Sequence, residues 1–305
     1  MSAALSLLAV LIDTRLLWAQ DLTPAAARPS RDSAVGSSRA TLTRTPPLSP
    51  GSSIAITFAQ SSASNWVGAP ASFLTASISA LASESLTAGP LAVRLNLSLR
   101  LGATYVGDSS VVDHFRVSDN EFFGEVVGSY PLRWRVDPYV SSSLRSPVTE
   151  AHHYLGTVRT RTAAFWDPVV TQQSMGFAYE NRSSREFCSI RIGISANEVR
   201  AVEQTMLSDD PNTPEKERYR IRAGVEFAAD ATVLVDSSMT YTGRLASFGG
   251  FSKLDLWTVH SEHELRIRFW KVFGLIASVT ILYDTRLSLR TQVRESISVG
   301  IVHTF

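Results

Sequence analysis

Apolar and polar residues alternate with period two through most of the chain from about Ser53 onward, most clearly at residues 91–105. Leu91, Val93, Leu95, Leu97, Leu99, Leu101, Ala103 and Tyr105 share one parity. Ala92, Arg94, Asn96, Ser98, Arg100, Gly102 and Thr104 share the other. Successive strand side chains point to opposite faces, so the segment predicts a strand with one apolar and one hydrophilic surface. Residues 132–144 set Leu132, Trp134, Val136 and Val140 against Arg133, Arg135, Asp137 and Ser141. Residues 186–196 set Cys188, Ile190, Ile192 and Ile194 against Ser189, Arg191, Gly193 and Ser195. Residues 219–229 set Tyr219, Ile221, Ala223, Val225 and Phe227 against Arg220, Arg222, Gly224 and Glu226. Only residues 197–207 read as a short surface helix.

The pattern predicts twelve strands, at about 53–60, 72–82, 91–105, 121–130, 132–144, 167–180, 186–196, 219–229, 231–243, 253–270, 273–284 and 288–305. Long connections are expected near 61–71, 106–120, 145–166, 197–218 and 244–252, and short ones at Pro131, 181–185, Asp230 and Lys271-Val272. A soluble sandwich also alternates. Three features favour an all-β fold with a single antiparallel transmembrane barrel. Several strands suit a tilted span of about 9–11 residues. Tyr105, Tyr219, Tyr241, Tyr283 and Phe305 stand near the ends of apolar stripes, where an interfacial girdle needs aromatics. Long and short connections tend to alternate, as they do when long loops face outside and short turns face the periplasm. That parity puts both termini on the periplasmic side of a bacterial outer membrane.

The last strand carries the most specific signal. Ile297, Val299, Ile301, His303 and Phe305 share a face, and the chain stops on an aromatic. Ile301, His303 and Phe305 are the expected C-terminal assembly signal, which the barrel-assembly machinery captures by strand pairing. Glu295 also has the outward parity. Ten residues at ~3.4 Å each and ~45° tilt place it about 24 Å above Phe305, near the opposite interface, where charge costs little.

Composition adds the address. Lys and Arg number 29 against 28 for Asp and Glu, so no global charge draws the chain to nucleic acid. Residues 3–12 form an apolar run of signal-peptide length, too short to span a bilayer as a helix. Residues 1–20 are read as a signal peptide with cleavage after Ala19, although Asp13 and Arg15 interrupt it and no basic segment precedes it. Residues 21–52, rich in Pro, Ser and Arg, read as a flexible linker, and 53–305 as the barrel. Cys188 is the only cysteine and reads as a small apolar filler.

Several segments together resemble an uncharacterised, domain-of-unknown-function family of Gram-negative outer-membrane barrels. Ile56-Thr57-Phe58-Ala59-Gln60 leading to Asn65, Trp66 and Gly68 looks like that family's strand and Asn-Trp-x-x-Gly-Gly turn, with the second glycine replaced. Arg116-Val117-Ser118-Asp119-Asn120 is similar to its Arg-Lys-Ser-Asp-Asp element. Tyr283-Asp284, Gln292-Val293-Arg294-Glu295, Gly300 and Phe305 are similar to its close. The resemblance covers about residues 54–305 and implies location and fold, with no catalytic residues to carry over.

Candidate chemistry is sparse. His260-Ser261-Glu262-His263 is a dense His/Glu cluster, yet on a strand its histidines point to opposite faces, so no shared metal is expected. No nucleophile elbow or phosphate loop occurs. No cofactor and no catalytic site are expected. The polar faces nominate a lumen lined by Arg94, Arg100, Arg133, Arg135, Asp137, Arg191, Arg220, Arg222 and Glu226. The leading expectation is a non-catalytic barrel that is structural or binds an envelope partner, in contact with outer-membrane lipids. The alternative is a narrow channel for small, anionic solutes; an embedded hydrolase and a soluble secreted β-protein rank below.

Overall fold

The structure is a computed structural model that describes residues 42–45, 52–64, 72–106, 113–132, 134–155, 158–209, 213–270, 272–284 and 290–304. The expected signal peptide and most of the expected linker lie outside them, as do Asn65, Trp66, Gly68, Arg133 and Phe305. Fifteen strands are described. They are β1 (Leu42–Thr45), β2 (Ser52–Ser64), β3 (Ser72–Ala88), β4 (Leu91–Tyr105), β5 (Phe115–Ser129), β6 (Asp137–Ser146), β7 (Ala151–Leu155), β8 (Val158–Ala163), β9 (Val169–Arg182), β10 (Glu186–Arg200), β11 (Tyr219–Leu234), β12 (Met239–Gly250), β13 (Lys253–Arg268), β14 (Phe273–Asp284) and β15 (Gln292–Thr304).

Twelve of these close a barrel. Antiparallel neighbours run β2-β15-β14-β13-β12-β11-β10-β9-β6-β5-β4, and β3 pairs with both β4 and β2 to complete the ring. Closure gives every barrel strand a partner on both sides, which a bilayer demands because lipid cannot satisfy a free sheet edge. β1, inside the expected linker, pairs with Ser85–Ala88 of β3 beyond the point where β2 begins. β7 and β8 form a separate hairpin in the β6–β9 connection.

The pattern of burial is inverted relative to a soluble protein. On β10, Ile192 and Ile194 are each 56% exposed while Arg191 is 1% and Ser195 5%. The same holds on β2, where Ile54, Ile56 and Phe58 are exposed and Ser53, Ala55 and Thr57 buried, and on β15, where Ile297, Val299 and Ile301 are exposed and Ser298 buried. Leaving such a belt in water would forfeit about 1.5–3 kcal/mol per large side chain. Hydrocarbon is the solvent that removes the cost, and the chain is a transmembrane barrel of the outer-membrane type. Glu295 is exposed on the outer face, as its parity requires.

Several predicted boundaries move. Asp230 does not turn the chain: β11 runs on to Leu234, and the turn is at 235–238, where Asp236 accepts from the Ser238 N–H at 2.6 Å. These bonds from Ser238 hold its carboxyl below the usual carboxylate range. Residues 244–250, expected in a loop, continue β12, so β12 and β13 meet at a turn over 251–252. The short-helix segment 197–207 instead ends β10 and contains only a 3-10 turn at Thr205–Leu207. The turn after β3 is tight because Gly89 takes φ +60. One end of the barrel thus carries the connections at 89–90, 183–185 and 235–238, and the other carries the longer stretches 147–168 and 201–218.

Candidate functional site

Inward parity gathers charge inside the barrel, and the strands that supply most of it span about half of the ring, from β12 round to β4. The deepest layer joins β4, β5, β9, β10, β11 and β12. Arg191 Nη2 lies 2.9 Å from Glu125 Oε1 and 3.1 Å from Asp230 Oδ2. Arg244 Nη2 reaches the same Glu125 oxygen at 3.0 Å and its Nε lies 3.7 Å from Asp230. Arg94 lies 3.2 Å from Glu180 and 3.5 Å from Asp230. In the ring order, β12 and β5 are separated by β11, β10, β9 and β6, so the Arg244–Glu125 pair crosses the lumen.

Aromatic and apolar side chains pack this layer. Arg244 sits over the Phe123 ring at 4.4 Å and Arg94 over Phe187 at 4.9 Å. Val127, Tyr139 and Ala178 form a buried cluster. Tyr139 shares a row with Gly176 and Gly193, and a Cβ on Gly193 would stand 2.9 Å from the Tyr139 hydroxyl. The missing side chains let the ring lie along the wall. This layer is the driest part of the lumen: the Arg191 and Glu125 side chains are 1% and 5% exposed.

A second layer is wetter. Arg100 on β4 meets Glu262 on β13 through two parallel contacts of 3.4 Å. His260 Nε2 lies 3.2 Å from Glu262, and Arg145 on β6 lies 2.9 Å from His260 Nδ1. Arginine has no acceptor, so in this contact Nδ1 accepts from Arg145 and Nε2–H faces Glu262 as a donor. Arg145 also pairs with Glu121 at 3.2 Å. Side chains here are 19% to 38% exposed, from His260 up to Arg100 and Arg145. Nearer the long-loop end, Arg294 on β15 pairs with Asp119 on β5 and donates to the Ser118 carbonyl at 3.4 Å. Two segments of the family resemblance therefore meet across the barrel. Gly102 makes room for them, since a Cβ there would stand 2.5 Å from Ser118 Oγ.

Of the nominated lumen residues, Arg94, Arg100, Arg191 and Glu226 line the interior in hydrogen-bonded contacts; Glu226 accepts from Gln172 at 2.7 Å and from Ser174. Arg222 donates to Asn197 at 3.3 Å. Arg220 is half-buried, with no ion pair among the described residues. Arg135 is corrected: it lies exposed in the 130–136 connection, because β6 begins only at Asp137. Asp137 has inward parity but works as a turn acceptor, taking the Leu132 N–H at 2.9 Å. The acids Glu125, Glu180, Asp230 and Glu262, and Arg145, Arg244 and His260, were not nominated. Strand parity reaches them once the strand boundaries are right. His260 points inward and His263 outward, as alternation requires.

At the long-loop rim, the β7–β8 hairpin docks on β5. Tyr154 donates to Asp113 at 2.8 Å and Arg116 stacks on its ring at 4.1 Å. Burial, followed by the Asp113 carboxylate, pushes the Tyr154 hydroxyl up.

No protein-family profile matches the chain, and no curated protein matches it. Among solved structures, the NanC porin is 9% identical, with 81% of this chain and 98% of that one covered and a TM-score of 0.41. An outer-membrane channel from Pseudomonas putida F1 is 10% identical over 84% and 97%, TM-score 0.43. The KdgM porin is 11% identical over 82% and 99%, TM-score 0.31. The expectation was a structural or partner-binding barrel, whereas these three structures are porins and a channel; the likeness to this chain is one of barrel fold.

Proposed function

We propose that the protein is a narrow outer-membrane channel for small polar solutes, with its constriction at the Arg94–Glu125–Glu180–Arg191–Asp230–Arg244 layer. One observation carries this: oppositely charged side chains from far-apart strands meet across a polar lumen inside an apolar exterior. A barrel of about this size has room for only a narrow pore, which its own side chains can fill. Its charges are mutually neutralised, so the constriction selects small dipolar or zwitterionic solutes rather than anions as a class. The transport step needs no bond chemistry.

Around this core stand four further assignments. The termini face the periplasm, supported by the long connections at the opposite end. Residues 1–20 direct export and most of 21–52 is a spacer. The β15 end engages the assembly machinery, and the protein is kin to the uncharacterised barrel family through the Asp119 and Arg294 segments. Reconstitution in planar bilayers tests the channel. Small stepwise conductances are expected, growing several-fold when Glu125→Gln loosens the constriction. Folded, inserted barrels that carry no steps in either form would refute it.

A further inference from the structure

Outward parity places three polar side chains of β12 and β13 on the lipid face, and they are connected. Ser261 Oγ lies 2.8 Å from His263 Nε2, and His263 Nδ1 lies 2.8 Å from the Tyr241 hydroxyl. The Tyr241 and His263 rings stack at 6.2 Å with 17° between planes. Gly243 is opposite His263 in the ladder, and a Cβ there would come within 2.8 Å of the Tyr241 hydroxyl and 3.4 Å of Nδ1. The surrounding outward residues, among them Leu245, Leu265, Val279 and Ile281, are apolar. Ionisable side chains facing a bilayer are costly and mark function by default; three apolar residues would fit the face better.

Their order has a chemical meaning. A serine bonded to one imidazole nitrogen, with a hydroxyl orienting the other, is a nucleophile, a general base and a positioning group. The depth suits a lipid. From Phe269, in the exposed aromatic group with Trp270 and Phe273, β13 climbs about 19 Å to Ser261 at ~3.4 Å per residue and ~45° tilt. In an apolar band about 25 Å tall, Ser261 then lies ~6 Å inside the far edge. Tyr283, paired with Val259, marks that edge two residues further on. Ester carbonyls of membrane lipids lie at this boundary, in the leaflet next to the long loops. Neighbouring side chains leave Ser261 8% exposed, on the outward face.

We infer that Tyr241, His263 and Ser261 form a hydrolytic site on the barrel's outer wall for the acyl esters of membrane lipids. Ser261 Oγ attacks the acyl carbonyl while its proton passes to His263 Nε2. The tetrahedral adduct expels the lipid's alcohol, which takes that proton back, leaving an acyl-serine. A water from the interface, deprotonated by the same nitrogen, attacks the acyl group; the carboxylic acid departs and the serine recovers its proton. Tyr241 acts through His263, accepting its Nδ1–H and fixing the tautomer that leaves Nε2 free.

The purified full-length barrel in detergent is treated with a fluorophosphonate probe, and the adduct is mapped by peptide mass. Modification at Ser261, absent from Ser261→Ala and slowed about 100-fold in His263→Gln, is expected, since a general base contributes at least that factor. Fatty acid release from phosphatidylcholine vesicles should follow the same order. Tyr241→Phe should slow it and move its pH profile. Heat-modifiable gel mobility and bilayer conductance, which read the opposite face of the wall, should be unchanged in Ser261→Ala. Absence of a Ser261 adduct in a folded barrel, or equal lipid hydrolysis by wild type and Ser261→Ala, overturns the proposal.

Discussion

Glu125→Gln isolates the energetics of the constriction. Glu125 is 4% exposed and one of its oxygens serves Arg191 at 2.9 Å and Arg244 at 3.0 Å. Removing one partner of a buried ion pair strands the other charge and costs roughly 3–5 kcal/mol. Asp230 still stands 3.1 Å from Arg191, so a loss of about 2–3 kcal/mol is expected. The combined Glu125→Leu, Arg191→Met variant removes both charges and should cost less than either single change, because no counter-charge of the pair is left buried. Urea unfolding of the barrel in phospholipid vesicles, followed by tryptophan fluorescence, measures each variant against the wild type. A Glu125→Gln loss within about 0.5 kcal/mol of zero, the scale of surface substitutions, would show that water already screens the layer.

Other outcomes follow from the remaining layers. Gly102→Val should drive Asp119 off Arg294, costing about 1–3 kcal/mol as overpacking does, measured by the same unfolding assay. Tyr154→Phe removes the bond to Asp113 without touching the barrel wall. It should increase protease nicking of the β7–β8 hairpin while leaving heat-modifiable mobility unchanged.

The alternation of residues 91–105 and 186–196 was sufficient to assign strand, face and solvent, because a lipid-facing wall imposes period two without exception for packing. Turn positions were less legible for a physical reason. Asp230 has the chemistry of a turn residue, but inside this barrel it is a counter-ion for three arginines. Residues 244–250 look like a loop because of Ser and Gly, yet Gly249 serves as the bed on which Trp257 lies, with a Cβ there only 2.9 Å from the indole. The lumen residues sequence reasoning named were mostly arginines, which alternate conspicuously, with Asp137 and Glu226. Several of their acids sit on strands well around the ring, as Glu125 does for Arg191 and Glu262 for Arg100, and no local spacing reveals which charge meets which. The Tyr241–His263–Ser261 relay was hidden similarly. Its serine and histidine stand two apart in the His-Ser-Glu-His run, and the third member comes from the neighbouring strand.

The orientation of the wall can be measured directly on β10. In a Cys188→Ser background, single cysteines at successive positions from Ser189 to Ser195 carry a fluorophore in vesicles containing lipid-borne quenchers. Strong quenching at Ile190, Ile192 and Ile194, and weak quenching at Ser189, Arg191 and Ser195, is the predicted result. Uniform quenching, or quenching strongest at the odd-numbered positions, would contradict a barrel whose apolar face meets lipid and whose charges cross the lumen.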